Sequence, residues 1–400
     1  MLIAAWALLF ICFLALLHTY LLFPMIAKAK AGKSRPQGAI YAPNDAELPF
    51  ISIVSSFFNE ELVALDKIDS IRKQAYPKHK FHCFIGSDAS SDQTNDLVQS
   101  AIQGDQQFTF FPFEQRRGKP PVINEIVERA IALHGDGPDH LILLTDANVM
   151  MHPQVLYRLA RHFKNSAITL VDAHMQHTGM QAQGISQAEN QYLSTEVKLK
   201  DWESRAWQYM MGPFGGCYLL RANYFAPVPA NYLVDDFYIA MKVFEQGGKA
   251  INDLEAHCYE GVSHEIKEEY RRKRRISAGN FQNLFTFWKL WWPPFQLKKW
   301  IFFSHKVLRW FGPFLMLGVL VSTSILATTN NLLGDLLFLF VIIGMLGIPI
   351  LDWLLEKFGL NLYIFRGLRY FMLMNLALLE GFFKYLKGIK SNVWQPTKRN

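Results

Sequence analysis

The stretch LILLTDANVM, Leu141 to Met150, is an apolar run that stops on an acid and an amide, Asp146 and Asn148. Side chains of this kind offer oxygen donors that hold Mg²⁺ or Mn²⁺ beside a bound phosphate. The same pair also suits a plain turn, since Asp and Asn hydrogen-bond their own backbone there. Other polar clusters bear on that choice. FFNEE puts Asn59, Glu60 and Glu61 after one apolar run, and SDASSDQT puts Asp88 and Asp92 after another. Asp92 taken singly reads as a helix N-cap. RRGKPPVINE brings Arg116, Arg117, Gly118 and Lys119 ahead of a proline-started helix, whose amino end adds a partial positive charge. Clustered carboxylates repel one another unless something positive lies among them. Acids for a metal and bases for phosphate on one edge describe a site for a nucleotide diphosphate.

Those residues need a scaffold that gathers them. Phe50–Phe57, Phe81–Asp88, Phe108–Phe113 and Leu141–Thr145 read as short strands. Helical patterns follow the first three, over 60–74, through Asp96 and Leu97, and over 123–133. This alternation predicts right-handed βαβ units, an α/β fold with a mostly parallel sheet covered by helices on both faces. In such sheets a ligand sits at the carboxyl ends of the strands. The acidic clusters fall at those ends.

Around this soluble middle the chain is apolar. IAAWALLFICFLALLHTYLLFPMIA is long enough to span a bilayer. The positives that follow, Lys28, Lys30, Lys33 and Arg35, place the amino terminus outside and the next segment in the cytoplasm. Trp310–Thr328 and Leu332–Leu351 have the composition of membrane helices. Tyr370–Phe383, which carries Glu380, reads either as a further span or as an interfacial helix. A basic cytoplasmic tail favours three crossings. The resulting division is an anchor over 1–27, a linker over 28–47 and a cytoplasmic domain over 48–280. Interfacial helices over 281–306, a membrane and interfacial region over 307–390 and a basic tail over 391–400 complete it.

The net charge of +7 gathers beside the apolar segments, at Lys267–Arg275 and Lys298–Lys306. That placement suits anionic headgroups and speaks against nucleic acid as a partner. Four cysteines, far apart and without metal spacing, fit a reducing compartment. His152, His174, His177 and His264 show no ligand spacing; His264 follows the strand-like Glu255–Val262 and offers a second metal contact, but a satisfied core or surface histidine is the favoured reading.

The motifs FFNEE, SDASSDQT, RRGK and TDAN, followed by GGCYLLR (Gly215–Arg221), VDDFYIAMKVFEQGGK (Val234–Lys249) and RRKRRISAGNFQ (Arg271–Gln282), resemble in order the family-2 inverting glycosyltransferases of GT-A fold. The flanking apolar helices further resemble the membrane-embedded polysaccharide-synthase branch. That resemblance implies that Asn59, Glu60 and Asp88 line the base and ribose pocket and that Lys119 approaches the nucleotide or its diphosphate. It implies that Asp146 takes a Mg²⁺ or Mn²⁺ ion, with Asn148 in the place of a second acid. It aligns Asp236 with the catalytic base and leaves Asp235 as its close rival; one of the pair also suits a helix cap. Arg272 and Arg275 occupy the two arginine positions of the Gln/Arg-x-x-Arg-Trp motif, whose Trp is replaced by Ile276, and Arg275 is expected to touch the diphosphate.

The implied function is transfer of a hexose from a nucleotide-diphosphate sugar, a UDP-sugar by expectation, to a saccharide or lipid-linked acceptor at the cytoplasmic (inner) membrane. Export or assembly partners fit that setting. A nucleotidyltransferase is the rival chemistry, although FFNEE lacks the glycine-rich loop such enzymes carry. A non-enzymatic transporter or scaffold is the remaining alternative, with few ionisable residues in the apolar segments to support it.

Overall fold

The computed structural model describes residues 1–32, 38–178, 185–261, 266–329, 332–360 and 362–392. Lys33, Arg35, His264 and the tail from Trp394 lie outside them, as does the side chain of His177. Helices α1 (Leu2–Leu17) and α2 (Phe23–Ala31) open the chain, joined by a π-helical turn over His18–Leu22. Then β1 (Phe50–Phe57), α3 (Ala64–Arg72), β2 (Phe81–Asp88), α4 (Thr94–Ala101), β3 (Phe108–Phe113), α5 (Lys119–His134) and β4 (His140–Thr145) alternate as expected. They are followed by β5 (Val149–Met151), α6 (Val155–Ala160), β6 (Ile168–Thr178), α7 (Ile185–Trp207), β7 (Cys217–Arg221), α8 (Asp235–Glu245) and β8 (Lys249–Gly261). The remainder is helical: α9 (Ile266–Thr286), α10 (Leu297–Phe302), α11 (Leu308–Trp310), α12 (Gly312–Ala327), α13 (Leu332–Ile342), α14 (Ile348–Lys357) and α15 (Tyr363–Leu386).

The chain divides into two compact units. One, Lys30–Gly179 with Lys200–Ser263 and the chain end from Ile389, holds the eight strands in the order β3-β2-β1-β4-β7-β6-β8-β5. β1 pairs parallel with β2 and β4, β2 with β3, and β6 with β8; β7 runs antiparallel between β4 and β6. Alternation along each strand sends Ile51, Ile53, Ile85, Leu141 and Leu143 to one face, where α3, α4 and α6 cover them with Ile68, Val98 and Leu156. Each such side chain, fully buried, contributes about 1.5–3 kcal/mol. The opposite face of β2 carries Gly86, and a Cβ there would strike Ile126 and Val122 of α5. The glycine lets α5 lie flat on the sheet, which brings its first residue, Lys119, to the carboxyl edge. Helix α3 starts later than its apolar period suggests. Asn59, at φ +52°, turns the chain first, and the Val63 and Ala64 N–H groups bond the Glu60 carbonyl.

The other unit comprises Met1–Ala29, Met180–Leu199 and His264–Gly388. Among the described residues two helical rods, Leu2–Ala31 and Leu332–Lys357, are long and apolar enough to cross a membrane. A third crossing results if Leu297–Trp310 and Gly312–Ala327, which meet at 63°, form one span. Helix α15, which contains the Tyr370–Phe383 segment, is amphipathic: Arg366 and Arg369 are buried against Asp352 of α14 at 3.0 and 3.1 Å. Glu196 of α7 is likewise enclosed by His305, Lys306 and Arg309. Trp288, Trp292 and Phe295 are exposed next to Lys289, Lys298 and Lys299, the mixture that settles at a headgroup boundary.

Candidate active site

The turn after β1 and the loop after β2 are tied together. The Asn59 side-chain oxygen accepts the Ser91 N–H at 2.8 Å, the Glu60 N–H donates to Thr94 Oγ1 at 2.9 Å, and the Glu61 N–H donates to Asp92 at 3.1 Å. Glu61 returns the contact by accepting the Gln93 N–H at 3.0 Å. Asp92 also accepts the Thr94 N–H, so it supports the start of α4, whose N-cap is Gln93 rather than Asp92, and braces the neighbouring loop at once. Asp88, at the end of β2, is buried. Its two oxygens accept the Arg117 and Gly118 N–H groups at 2.7 and 2.8 Å. Gly118 itself stands at φ +86°, a conformation that side chains disfavour, where the loop turns into α5. The RRGK loop is thus hung from Asp88. Arg116 stacks on Phe58 at 3.6 Å and Arg117 pairs with Glu125 at 2.8 Å.

Lys119 emerges from this loop into a group of acids. Its ammonium lies 2.8 Å from Asp146 Oδ1 and 3.2 Å from Asp235 Oδ2. Burial alone would lower the Lys119 pKa, but the charges of Asp146 and Asp235 outweigh it and raise it above the ordinary lysine value. Lys119 therefore joins the TDAN motif to the acidic pair at the start of α8. Asp236, next in the chain, stands against Gly215. That glycine has φ +93°, and a Cβ there would collide with the Asp236 carboxylate. Burial and the adjacent Asp235 charge push Asp236 up to about 6, against the pull of Lys119 and the Phe237 N–H.

The donors at TDAN suit a hard divalent cation. Asp146 offers a carboxylate that already faces a positive group, and Asn148 donates an amide N–H to Glu260 at 2.9 Å, so its amide oxygen is the atom chemically suited to a cation. Among the described residues no group of three or more His, Cys, Asp or Glu side chains is placed to hold a metal by itself. Mg²⁺ and Mn²⁺ are commonly held by one or two protein oxygens together with substrate phosphates and water. The residues present fit that kind of site.

Two family models match the chain. That of Glycosyl transferase family 2 covers residues 52–221, and that of Glycosyl transferase family group 2 covers residues 141–355, over half of the 400 residues. The chain belongs to glycosyltransferase family 2. Among solved structures it is similar to the mannosyltransferase PcManGT from Pyrobaculum calidifontis, determined with GDP-Man and Mn²⁺. The two share 20% identity and a TM-score of 0.69 over 96% of this chain and 99% of that one. This likeness establishes a GT-A fold. S. aureus TarS 1-349, determined with UDP-GlcNAc, matches at 15% identity and a TM-score of 0.41 over 83% of this chain and 92% of that one. No curated protein sequence matches the chain.

Within this family-2 glycosyltransferase, one sheet edge carries Asn59, Glu60, Asp88, Lys119, Asp146, Asn148, Asp235 and Asp236. Arg272 and Arg275 stand on α9, in the helical unit. That helix is fastened to α15 by Tyr270 and Arg274 on Glu380 at 2.9 and 3.3 Å, and by the Ser277 hydroxyl on the Leu378 carbonyl at 2.9 Å.

Sequence reasoning missed two residues. Lys67 of α3 is wholly buried and donates to Thr145 Oγ1 at 2.8 Å and to the Val149 carbonyl at 2.6 Å, gripping TDAN from behind at both ends. Burial lowers its pKa. The signal was its position on the apolar stripe Ala64, Ile68, Ile71 of an otherwise regular amphipathic helix. Asp172 of β6 is the other. An acid inside the apolar run ITLVDA was the visible sign.

Proposed function

We propose that this glycosyltransferase moves a sugar from a nucleotide-diphosphate sugar to a membrane-bound, lipid-linked or saccharide acceptor with inversion at the anomeric carbon. The observation that carries the reading is the Lys119 bridge between Asp146 and Asp235, with Asp236 next in the chain. It joins a diphosphate-binding charge, a cation-binding acid and a base at one sheet edge. Asn59, Glu60 and the loop hung from Asp88 form the wall for base and ribose. Lys119, already poised between acids, is the side chain that meets the diphosphate. Asp236 takes the proton of the acceptor hydroxyl as its oxygen bonds to the anomeric carbon and the bond to the diphosphate oxygen breaks. One in-line displacement of this kind needs a single base, in contrast to the paired carboxylates of a glycosidase. When bound at Asp146 and Asn148, Mg²⁺ or Mn²⁺ supplies positive charge against the leaving diphosphate.

The donor base is the open choice within the reading. A UDP-sugar is the family-based expectation, while the similar fold of PcManGT was determined with GDP-Man. The apolar helices in the same chain support an acceptor held in the membrane, with the catalytic unit on the cytoplasmic side of the inner membrane. Ile276 in place of the motif's Trp favours limited addition over long polymerisation.

The test is nucleotide release by detergent-purified protein with Mn²⁺ or Mg²⁺ across UDP- and GDP-sugars, with membrane extract as acceptor. Release from one donor that disappears in Asp236→Asn and in Asp146→Ala is the expected outcome. Release undiminished in Asp236→Asn would remove it from the role of base, and silence with every donor would overturn the proposal.

A further inference from the structure

Asp172 sits in β6, opposite Tyr218 of β7 and Asn252 of β8, and is 1% exposed. Its Oδ2 accepts the Phe214 N–H at 3.0 Å, and its Oδ1 is buried with no hydrogen-bond partner. Leaving a buried acceptor unpaired is destabilising, so an acid kept in a core strand calls for a reason beyond packing. What it holds supplies one. Phe214 leads directly into Gly215, the residue whose bare Cα lets the Asp236 carboxylate approach. Gly212, at φ +85°, receives the Phe237 ring in the same way. Gly216 accepts the Asp146 N–H at 3.0 Å and the Thr145 hydroxyl at 3.1 Å. The loop 212–216 thus touches α8 and the TDAN motif together, and Asp172 tethers it at its centre. The Lys200 ammonium lies 3.7 Å from the centre of the Phe214 ring.

We propose that Asp172 is the positioning residue for the base: through the Phe214 N–H it fixes the glycine loop that sets where the Asp236 carboxylate points. This rests on the glycosyl-transfer reading above. Lys200, Asp236, Tyr218 and Cys258 are among the ionisable groups whose charge acts on or responds to Asp172. Burial pushes the Asp172 carboxyl up to about 7, opposed by Lys200 and the Phe214 N–H and aided by Asp236. A charged acceptor holds an N–H more tightly than a neutral one, yet an amide oxygen in the same place still accepts it.

That difference provides the test. Asp172→Leu and Asp172→Asn are compared in the full-length protein with the donor and metal that the wild type turns over. The leucine variant is expected to lose about 10²-fold in kcat, the scale of a small misplacement of a reacting group, while the donor KM stays near the wild-type value. The asparagine variant is expected to recover most of that loss. An asparagine variant as impaired as leucine, or a leucine variant with full kcat, would overturn the assignment. So would a loss carried by the donor KM. Should Asp172→Leu fail to fold, Asp172→Ala removes the same acceptor without the added bulk. A fall in kcat with an unchanged KM that Asp172→Asn recovers supports the proposal there, and an unchanged kcat overturns it. Wild-type silence with every donor is a different result, because it removes the glycosyl-transfer reading and this inference with it.

Discussion

The two halves of the sheet edge use their acids differently. On the β1–β2 side, Asp88, Asp92, Glu61 and Asn59 are spent on backbone N–H groups, so the polar residues there are part of the loop architecture. On the β4–α8 side, Asp146, Asp235 and Asp236 gather around one lysine, and burial, helped by the Asp235 charge, holds the Asp236 carboxyl up to about 6. The first half resembles a finished mould. The second holds close negative charges that a proton or a cation can neutralise. On the proposed reading, the first half shapes the pocket for base and ribose, and the second carries the charges that meet the diphosphate and the acceptor hydroxyl.

The largest expected effect tests the reactive half. Asp236→Asn should lower kcat by roughly 10²–10⁴-fold, the usual contribution of a positioned base, with donor binding close to wild type in equilibrium titration. An equal collapse of donor binding would mean that the two halves are one. Next comes the mould. Asp88→Ala orphans two backbone N–H groups and should destabilise the fold by about 3 kcal/mol, since bonds to charged groups contribute roughly 1.5–3 kcal/mol each. Thermal unfolding reads the stability, and the kinetic loss should appear mainly as a raised donor KM.

The pH profile sharpens the contrast. A base held up to about 6 must be ionised to act, so kcat/KM should fall by about tenfold per pH unit below that value. Stability should move the opposite way. A carboxyl raised in the folded state favours folding when protonated, so its stabilising effect is greatest at acid pH and is lost as pH rises through about 6. Activity that stays flat down to pH 5 would count against Asp236. The smallest effect is expected at the rim of the mould: Glu61→Ala removes one bond to the Gln93 N–H and should cost about 1 kcal/mol without changing kcat. A large kinetic effect there would blur the division.

Much of the fold was legible before the structure. β1, β2 and β3 match the apolar runs in the sequence, and β4 starts one residue early at His140, because buried parallel strands are written as short β-branched and aromatic segments. The helix over 60–74 was shortened because Asn59 and Glu60 bond to the next loop, a contact no periodicity encodes. The clustering of Asn59, Asp88 and Asp146 followed from strand polarity alone. The tethering of RRGK to Asp88 did not, nor did the stacking of Arg116 on Phe58, since both are side-chain choices made across the fold. Lys67 and Asp172 were visible as misfits in apolar patterns, yet a misfit does not say what it touches.

By itself the sequence determined which segments become strands, which helices are apolar enough for a membrane, and at which sheet edge the charged motifs collect. Those properties are local, carried by alternation and composition within a few residues. Only the tertiary structure decided how the charges are shared: Asp88 to a loop 29 and 30 residues away, Lys119 to Asp146 across 27, and Asn148 to Glu260 across 112. Pairing and desolvation depend on what distant chain brings alongside. That is why two adjacent aspartates with the same chemistry end differently, Asp235 against a lysine and Asp236 against a glycine, with its proton held up to about pH 6.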